Sequence, residues 1–239
     1  MQFGYWRRYL NGAPEYLARH YWWTYLAPSG VWFFDHDCVI NLILFGQYRV
    51  ILNEVIRRYA TTDCERTLQL TCAYGPLSPT LAQSANTREF HVIDVANIQL
   101  EATRTKLKDD FQKVKMVRMN VESLAYSNDS FDCIVIYFLL HELPTQARDR
   151  ALSEVIRLLK PNGHLLIAEY GENVGVHWLH RFTPWRWLLE KLEPFLHDFW
   201  HSNLTQQLTK IALQQNKPLR SHSETSLFNG FYRVVEYRV

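Results

Sequence analysis

A histidine and a glutamate stand side by side just after an apolar segment of the chain. Residues 131–138 are short, apolar and rich in branched side chains, as in a buried strand, and His141 and Glu142 follow closely. Imidazole and carboxylate groups transfer protons and bind metal ions, so both are candidate catalytic or metal-binding groups. Neighbouring side chains on an extended segment face opposite ways, which predicts that at most one of them points into a site.

Two tyrosines are candidate hydroxyl donors beside this pair. Tyr137 stands near the end of the same predicted strand, and Tyr74 stands in a short loop, residues 71–75, after an earlier one. Ligands of open parallel sheets bind outside the carboxyl ends of the strands, where both tyrosines would lie. The predicted catalytic residues are Tyr74, Tyr137, His141 and Glu142.

Residues that follow other strand-like segments favour a nucleotide. Asp94 lies one strand-helix-strand unit beyond Gln69, where a carboxylate can accept hydrogen bonds from both ribose hydroxyls. Asn120 can hydrogen-bond an adenine amino group, and loop 71–75 can bring backbone amides close to the ligand. The predicted cofactor-binding residues are Gln69, Thr71, Ala73, Tyr74, Gly75, Asp94, Val95, Asn120, Val121 and Tyr137.

Alternating strand-like and helix-like segments must position these residues. Residues 67–72, 89–95, 131–138 and 164–169 have strand character, and Ala147, Ala151, Val155 and Leu159 share one helical face. This alternation predicts an α/β, doubly wound parallel sheet with right-handed crossovers. Residues 230–239 alternate like an antiparallel edge strand.

Two aromatic-rich zones flank this core. Residues 1–58 predict a helical cap that ends in one amphipathic helix running from Val39 to Ile56, and residues 59–239 form the α/β domain as part of a single structural unit. A second aromatic zone, at about 171–215, is a helical insertion. Its interspersed Arg181, Arg186 and Lys191 suit either a packed accessory helix or a surface resting on a membrane.

Composition excludes several classes of protein. The 26 Lys and Arg residues nearly balance 24 Asp and Glu residues, and a net charge of +2 gives no reason to expect nucleic-acid binding. The four cysteines form no C-x-x-C pair, so neither a zinc site nor a disulfide framework is indicated. Apolar stretches are too short to span a bilayer, which predicts a soluble or peripheral protein.

The order of these motifs resembles class I S-adenosylmethionine-dependent methyltransferases. The matching elements are the loop 71–75, Asp94, residues 120–121, residues 130–132 leading into a strand, and residues 158–165. The resemblance implies a Rossmann-like fold with a mostly parallel seven-stranded sheet and helices on both faces. It also implies that Asp94 holds the ribose, that Asn120 and Val121 frame the adenine, and that Tyr74 and Gly75 flank the methionine part of S-adenosylmethionine.

A narrower resemblance is to the RquA family of rhodoquinone biosynthesis. It covers about residues 21–200 and is carried by segments 21–26, 33–34, 41–46, 72–75 and 138–142. The resemblance implies an enzyme that replaces a methoxy group of ubiquinone with an amino group from S-adenosylmethionine, assisted by Mn²⁺, with His141 and Glu142 as candidate ligands. It favours a location in the cytoplasm or the mitochondrial matrix, peripheral at the inner membrane.

One departure from the methyltransferase pattern agrees with amine chemistry. The acidic residue that usually precedes the loop is replaced by Gln69. A neutral side chain there should lower the pKa of the methionine amine, leaving it free to attack more often. The alternatives are a conventional methyltransferase acting on a quinone or another apolar small molecule, and a non-catalytic protein that binds S-adenosylmethionine.

Overall fold

The structure is a computed structural model that describes residues 4–84, 88–172 and 177–239. Small parts of the predicted cap and insertion, residues 1–3 and 173–176, lie outside the described residues. One sheet runs through the domain in the strand order β3-β2-β1-β4-β5-β7-β6. Its strands are β1 Arg66–Leu70, β2 Glu89–Asp94, β3 Val114–Arg118, β4 Phe131–Tyr137, β5 Leu159–Tyr170, β6 Ser221–Leu227 and β7 Tyr232–Arg238.

The sheet confirms the predicted seven-stranded, mostly parallel architecture. Strands β1 to β5 pair in parallel, and β7 runs antiparallel to both β5 and β6. The central strand β4 is buried on both faces from Cys133 onward, as its apolar sequence there requires. Strand order reverses between β1 and β4, which places a ligand-binding crevice at the carboxyl ends of these two strands.

Helices cover the sheet and extend beyond it. Within the domain they are α4 Tyr48–Ala60, α5 Leu77–Ala82, α6 Asn97–Leu107 and α7 Thr145–Leu158. The cap contains α1 Glu15–Tyr21, a π-helical turn Trp22–Leu26, α2 Pro28–Phe34 and α3 Asp37–Ile43. The insertion between β5 and β6 contains α8 Trp178–Arg181, α9 Thr183–Leu192, α10 Leu196–Trp200 and α11 Leu204–Gln214.

The single amphipathic helix expected from Val39 to Ile56 is instead two helices. Helices α3 and α4 meet at 96°, because Phe45 and Gly46 between them adopt positive φ angles of 52° and 77°. Over the described residues, no individual helix has the length and apolar character to cross a membrane; only the bent pair α3 and α4, taken together, meets those two criteria.

The predicted edge strand near the C-terminus is an interior strand. Strand β7 lies between β5 and β6, and β6 forms the edge. The sequence of β6, SHSETSL, is polar and largely exposed, so it lacks the apolar alternation by which strands are recognised. Its polar character suits an edge that must not pair with other chains.

Gly75 provides a test of how tightly the loop after β1 is held. Its φ is +75°, and an added Cβ would lie 2.0 Å from Tyr48 Oη, whereas Gly46 has a similar φ of +77° and open space around it. We expect Gly46→Ala to lower the free energy of unfolding by about 1 kcal/mol, the cost of left-handed backbone. We expect Gly75→Ala to cost about 2 kcal/mol more, because the methyl group also overpacks the site.

Urea denaturation of the two variants measures this difference. Combining Gly75→Ala with Tyr48→Phe should recover part of the loss, since the hydroxyl is the nearest obstacle. Equal losses for the two alanine variants would show that the loop is free to move away from Tyr48.

Candidate functional site

A cavity of about 540 Å³ opens at the carboxyl ends of β1, β2 and β4. Loops after these strands line one end, and the cap and the insertion close over the other. The cavity lies at the reversal of strand order, where the topology predicts a ligand. Predicted site residues in its wall are Thr71, Ala73, Tyr74, Asp94, Val95, Asn120, Val121, Tyr137, His141 and Glu142.

Two predicted cofactor-binding residues do not line this cavity. Gln69 is fully buried under the loop, where its Nε2 donates to the Thr71 carbonyl at 2.9 Å and its Oε1 has no partner among the described residues. Gly75 lies behind the loop and donates its N–H to Asp35 Oδ1 at 2.9 Å. Both residues therefore shape the loop from outside the cavity, because β1 directs Gln69 into the core and the loop turns away at Gly75.

Cap and domain hold the loop after β1 in place together. Lys106 Nζ bridges Asp35 Oδ1 at 2.7 Å and the Ala73 carbonyl at 2.9 Å. Thr71 has a φ of +70°, a region that β-branched residues rarely enter. The Gln69 hydrogen bond to the carbonyl of Thr71 helps to hold this conformation.

Asp94 organises the adjoining end of the cavity. Its Oδ2 accepts from the Cys72 N–H at 3.0 Å and its Oδ1 from the Ala96 N–H at 2.8 Å, which ties the loops after β1 and β2 together. Burial raises the pKa of Asp94 to about 6 despite these hydrogen bonds. Each carboxylate oxygen accepts more than one hydrogen bond, so acceptor capacity remains for ligand hydroxyls.

Asn120 and Val121 complete the nucleotide-type end. The Asn120 side chain is fixed by its Oδ1, which accepts from the Glu122 N–H at 3.0 Å. Its amide group and the buried Val121 both border the cavity. An apolar contact beside an amide is the arrangement that an adenine ring needs.

Tyr74 fastens the cap to the cofactor loop. Its hydroxyl donates to the Thr24 carbonyl at 2.5 Å and accepts from Gln99 Nε2 at 3.0 Å. Its ring stacks on Tyr25, with centroids 5.6 Å apart and planes 12° from parallel. Because the Tyr74 hydroxyl donates its proton to the Thr24 carbonyl, this hydrogen bond holds the cap against the loop. A catalytic role for Tyr74 stays a prediction.

Both His141 and Glu142 face the cavity, so the expectation that at most one would do so is wrong. They lie on a 3-10 turn, Leu140–Glu142, instead of an extended segment. The helical turn brings His141 Nε2 within 3.9 Å of Glu142 Oε1, and both side chains line the cavity wall.

Glu169, at the end of β5, orients the histidine. Its Oε1 lies 2.6 Å from His141 Nδ1, and its Oε2 accepts from the Leu140 N–H at 3.0 Å. Burial by itself would lower the pKa of His141, but the Glu169 carboxylate raises it to about 9. With Nδ1 engaged, the nitrogen that remains for a ligand is Nε2.

A third carboxylate reaches the same point from the insertion. One ligand atom each from His141, Glu142 and Glu193 lie within 4.8 Å of one another. Tyr25 of the cap donates its hydroxyl to Glu142 Oε1, and Tyr21 donates to Glu193 Oε2 at 2.8 Å. Burial raises the pKa of Glu142 to about 8 and also raises that of Glu193. This cluster unites the domain, the cap and the insertion.

Sequence reasoning missed Glu193, Glu169, Tyr25 and Gln99. A signal for Glu169 existed, because it ends a predicted strand at the edge where ligands bind. Glu193 follows α9 in an aromatic insertion, and its sequence neighbours carry no motif that points inward.

A family model of known proteins matches the part of the chain that contains the loops after β1, β2 and β4. Residues 67–163 match a family model described as a methyltransferase domain. Over these residues the chain is similar to methyltransferase domains. The matched segment contains Asp94, Asn120, His141 and Glu142, whereas Tyr25, Glu169 and Glu193 lie outside it.

Relatives by sequence include a quinone-biosynthesis enzyme. The chain is 31% identical over 142 residues to the ubiquinone/menaquinone biosynthesis C-methyltransferase UbiE of Proteus mirabilis (strain HI4320), covering 58% of this chain and 56% of that protein. UbiE of Methylococcus capsulatus (strain ATCC 33009 / NCIMB 11132 / Bath) is 29% identical over 140 residues. The chain thus spans little more than half the length of these relatives.

Similarity to solved structures shows that the chain has the α/β fold of class I methyltransferases. The methyltransferase domain of bacterial CtHen1 superposes with a TM-score of 0.60 at 13% identity, covering 81% of this chain and 98% of that one. The N-methyltransferase NodS of Bradyrhizobium japonicum WM9, in complex with S-adenosyl-L-homocysteine, has a TM-score of 0.54 at 16% identity, covering 81% and 87%.

The buried Asp94 carboxylate should make stability depend on pH. Its pKa of about 6 in the folded protein lies above the 3.8 of an unfolded chain. The folded state therefore binds this proton more tightly, and the stability that it contributes below pH 3.8 is lost as pH rises through 6. The expected loss is on the order of 2–3 kcal/mol.

Chemical denaturation of the protein and of Asp94→Asn at pH 4, 5, 6 and 7 measures this effect. The Asp94→Asn variant should be less stable at every pH, because its single amide oxygen cannot accept from both backbone amides. It has no carboxyl group at position 94 that titrates. The difference in unfolding free energy should therefore shrink as pH rises. A difference that is constant with pH would place the pKa of Asp94 in its ordinary range.

Proposed function

We propose that this chain binds S-adenosylmethionine and replaces a ring methoxy group of ubiquinone with the amino group of that molecule, the chemistry of rhodoquinone formation. The observation that supports this most is one shared cavity, with nucleotide-type contacts at one end and the cluster of His141, Glu142 and Glu193 at the other. Methyl transfer is driven by the sulfonium group of S-adenosylmethionine itself. Addition of an amine to a quinone ring, by contrast, is accelerated by groups that polarise the ring carbonyl, as a metal-binding cluster can.

Mn²⁺ fits the donor set of this cluster. Two carboxylates and one imidazole converge, and carboxylate oxygens are ligands that Mn²⁺ accepts readily. Glu169 stands behind His141 as carboxylates stand behind metal-bound histidines, fixing its tautomer and leaving Nε2 exposed to a ligand. When bound, the cation would supply Lewis-acid polarisation of the quinone carbonyl.

The charge balance of the cluster supports a bound cation. Glu142, Glu169 and Glu193 are packed around one imidazole, and burying carboxylates without compensating charge is costly. The hydroxyls of Tyr21 and Tyr25 donate hydrogen bonds to two of these carboxylates but add no positive charge. Without a cation, protons neutralise these carboxylates, as the raised pKa values of Glu142 and Glu193 indicate, and a divalent cation would displace those protons.

Other groups of this chain would hold the reactants and move protons. Tyr137 Oη is buried in the cavity wall and has no hydrogen-bond partner among the described residues, so it is available to a quinone oxygen. The cavity wall is mostly apolar, and burial in such surroundings favours the neutral form of an amine. Gln69 contributes no carboxylate beneath the loop to hold that amine charged.

The overall reaction needs no reagent besides ubiquinone, S-adenosylmethionine and water. The amine nitrogen bonds to the ring carbon, whose methoxy group takes up a proton and leaves as methanol. The donor's carbon–nitrogen bond then breaks: water supplies the oxygen of a 2-oxo acid, and the quinone takes up the released electron pair. The product is the aminated hydroquinone, with nitrogen on the ring.

A second candidate function is methyl transfer to a quinone or another apolar small molecule. The similarity to the C-methyltransferase UbiE favours it. In that reaction His141, whose Nδ1 is held by Glu169, would accept the proton released from the ring or hydroxyl of the substrate when it is in its neutral form, which its pKa of about 9 favours at alkaline pH.

We also propose that the protein works at the surface of the inner membrane, from the cytoplasm or the mitochondrial matrix. Large aromatic side chains stay exposed on the cap and the insertion, among them Trp32, Trp178 and Trp187. Exposed tryptophans are frequent where proteins meet the headgroup region of lipids. A quinone with a long apolar tail resides in that membrane.

Product analysis with isotopes tests the proposed function. Purified protein is incubated with ubiquinone, Mn²⁺ and S-adenosylmethionine labelled with nitrogen-15 in its amino group, and the quinone is analysed by mass spectrometry. We expect loss of methoxy and gain of the heavy amino group. A parallel reaction with a carbon-13 methyl label detects methyl transfer, which would replace the amination proposal. No labelled product in either reaction would exclude both.

Removing the third carboxylate tests the cation site. We expect Glu193→Gln to weaken Mn²⁺ binding at least tenfold in electron paramagnetic resonance titrations, because it removes a charged ligand while retaining the shape of the side chain. Glu190→Gln, in the last turn of α9 just before Glu193, is the control, since its contact with Arg186 at 3.6 Å is partly exposed. Equal Mn²⁺ affinity in both variants would remove Glu193 from the site.

A further inference from the structure

Helix α9 is an amphipathic helix whose apolar side is incompletely covered. Trp185, Leu188, Leu189 and Leu192 recur at three-and-four spacing and form one stripe. None of the α9 side chains, all of which the structure describes, is fully buried. Leaving such a stripe partly in water forfeits stabilisation that burial would give.

Across from this stripe stand apolar residues of α3 and the residue after it. The cavity wall includes Ile40, Ile43 and Leu44 on this side and Trp185, Leu189 and Leu192 on the α9 side; we name this region the α3–α9 cleft. The rings of Phe45 and Trp185 are in contact at 5.1 Å, which joins the two sides at one end. The cleft is therefore an apolar extension of the cavity.

The cleft leads from the polar cluster to the surface. Glu193 directly follows α9, and Leu192, Leu189 and Trp185 lie on successive turns leading away from it. Ile43 and Leu192 border the cavity while remaining 47% and 43% exposed, so the cleft is open to solvent along one side, starting at the Glu193 end. A ligand with a polar head at Glu193 can extend an apolar chain along this path.

We propose that the α3–α9 cleft binds the first isoprene units of the quinone tail. This inference rests on the proposed quinone substrate and adds the subsite that recognises its chain. The stripe from Trp185 to Leu192 spans about 10 Å of helix, the length of about two extended isoprene units. Every side chain that defines the cleft is apolar, which suits a hydrocarbon and no charged group.

Two length-dependent results follow. Affinity should rise as the tail grows from none to about two isoprene units and then level off, because later units lie beyond the stripe. Ile43→Asn and Leu192→Asn should each weaken binding of a two-unit ubiquinone about tenfold. Neither should change binding of the tailless ring, which contacts the polar cluster and not the cleft.

Binding is measured by isothermal titration calorimetry without turnover, using ubiquinones with zero, one, two and three isoprene units. Leu213→Asn is the matched control, since Leu213 is an exposed leucine of α11 that does not line the cavity. Its tail dependence should equal that of the unaltered protein. Circular dichroism melting confirms that each variant is folded.

Different outcomes overturn different statements. Equal affinity for tailless and tailed quinones in the unaltered protein overturns the cleft proposal alone. If no ubiquinone binds, the proposed substrate is wrong and the cleft proposal fails with it. The last experiment uses quinone-free vesicles of phosphatidylcholine and phosphatidylglycerol. If both asparagine variants abolish binding to these vesicles, and quinone affinity does not depend on tail length, the cleft binds a bilayer and not the quinone tail.

Discussion

The hydrogen bond between His141 Nδ1 and Glu169 Oε1, at 2.6 Å, is the contact on which the site depends. It ties the turn after β4 to the end of β5, and the same carboxylate accepts the Leu140 N–H. With one nitrogen committed to the core, Nε2 can face only the cavity. The carboxylates of Glu142 and Glu193 converge on that face, and the tyrosines of the cap then pack against them.

The matched segment, residues 67–163, contributes one part of the candidate site. Its loops supply Asp94 and Asn120 at one end of the cavity and the turn with His141 at the other. Tyr25 and Glu193 come from the cap and the insertion, which lie outside the matched residues. The cluster of His141, Glu142 and Glu193 is therefore completed only by residues outside the matched segment.

Sequence patterns predicted the elements whose burial leaves a regular order of apolar and polar residues. Strands β1, β2, β4 and β5 and helix α7 were recognisable because burial on both faces, or on one helical face, leaves a regular apolar pattern. Strand β3 was not predicted, because only Val114 of its five residues is buried. Edge strand β6 was not, because its polar residues face solvent. The break between α3 and α4 arises from positive φ angles at Phe45 and Gly46, and only the glycine hints at it. Glu193 could not be placed, since its partners are distant in the sequence and meet it only after folding.

The contact between Tyr21 and Glu193 joins residues 172 positions apart. Cap and insertion thus meet over the cluster although the cap precedes β1 and the insertion lies between β5 and β6. Removing the insertion would leave the Tyr21 hydroxyl without its acceptor, and removing the cap would leave the buried Glu193 carboxylate without its donor. We therefore expect proteins that contain the cap to contain the insertion as well, because each segment supplies the hydrogen-bond partner of the other.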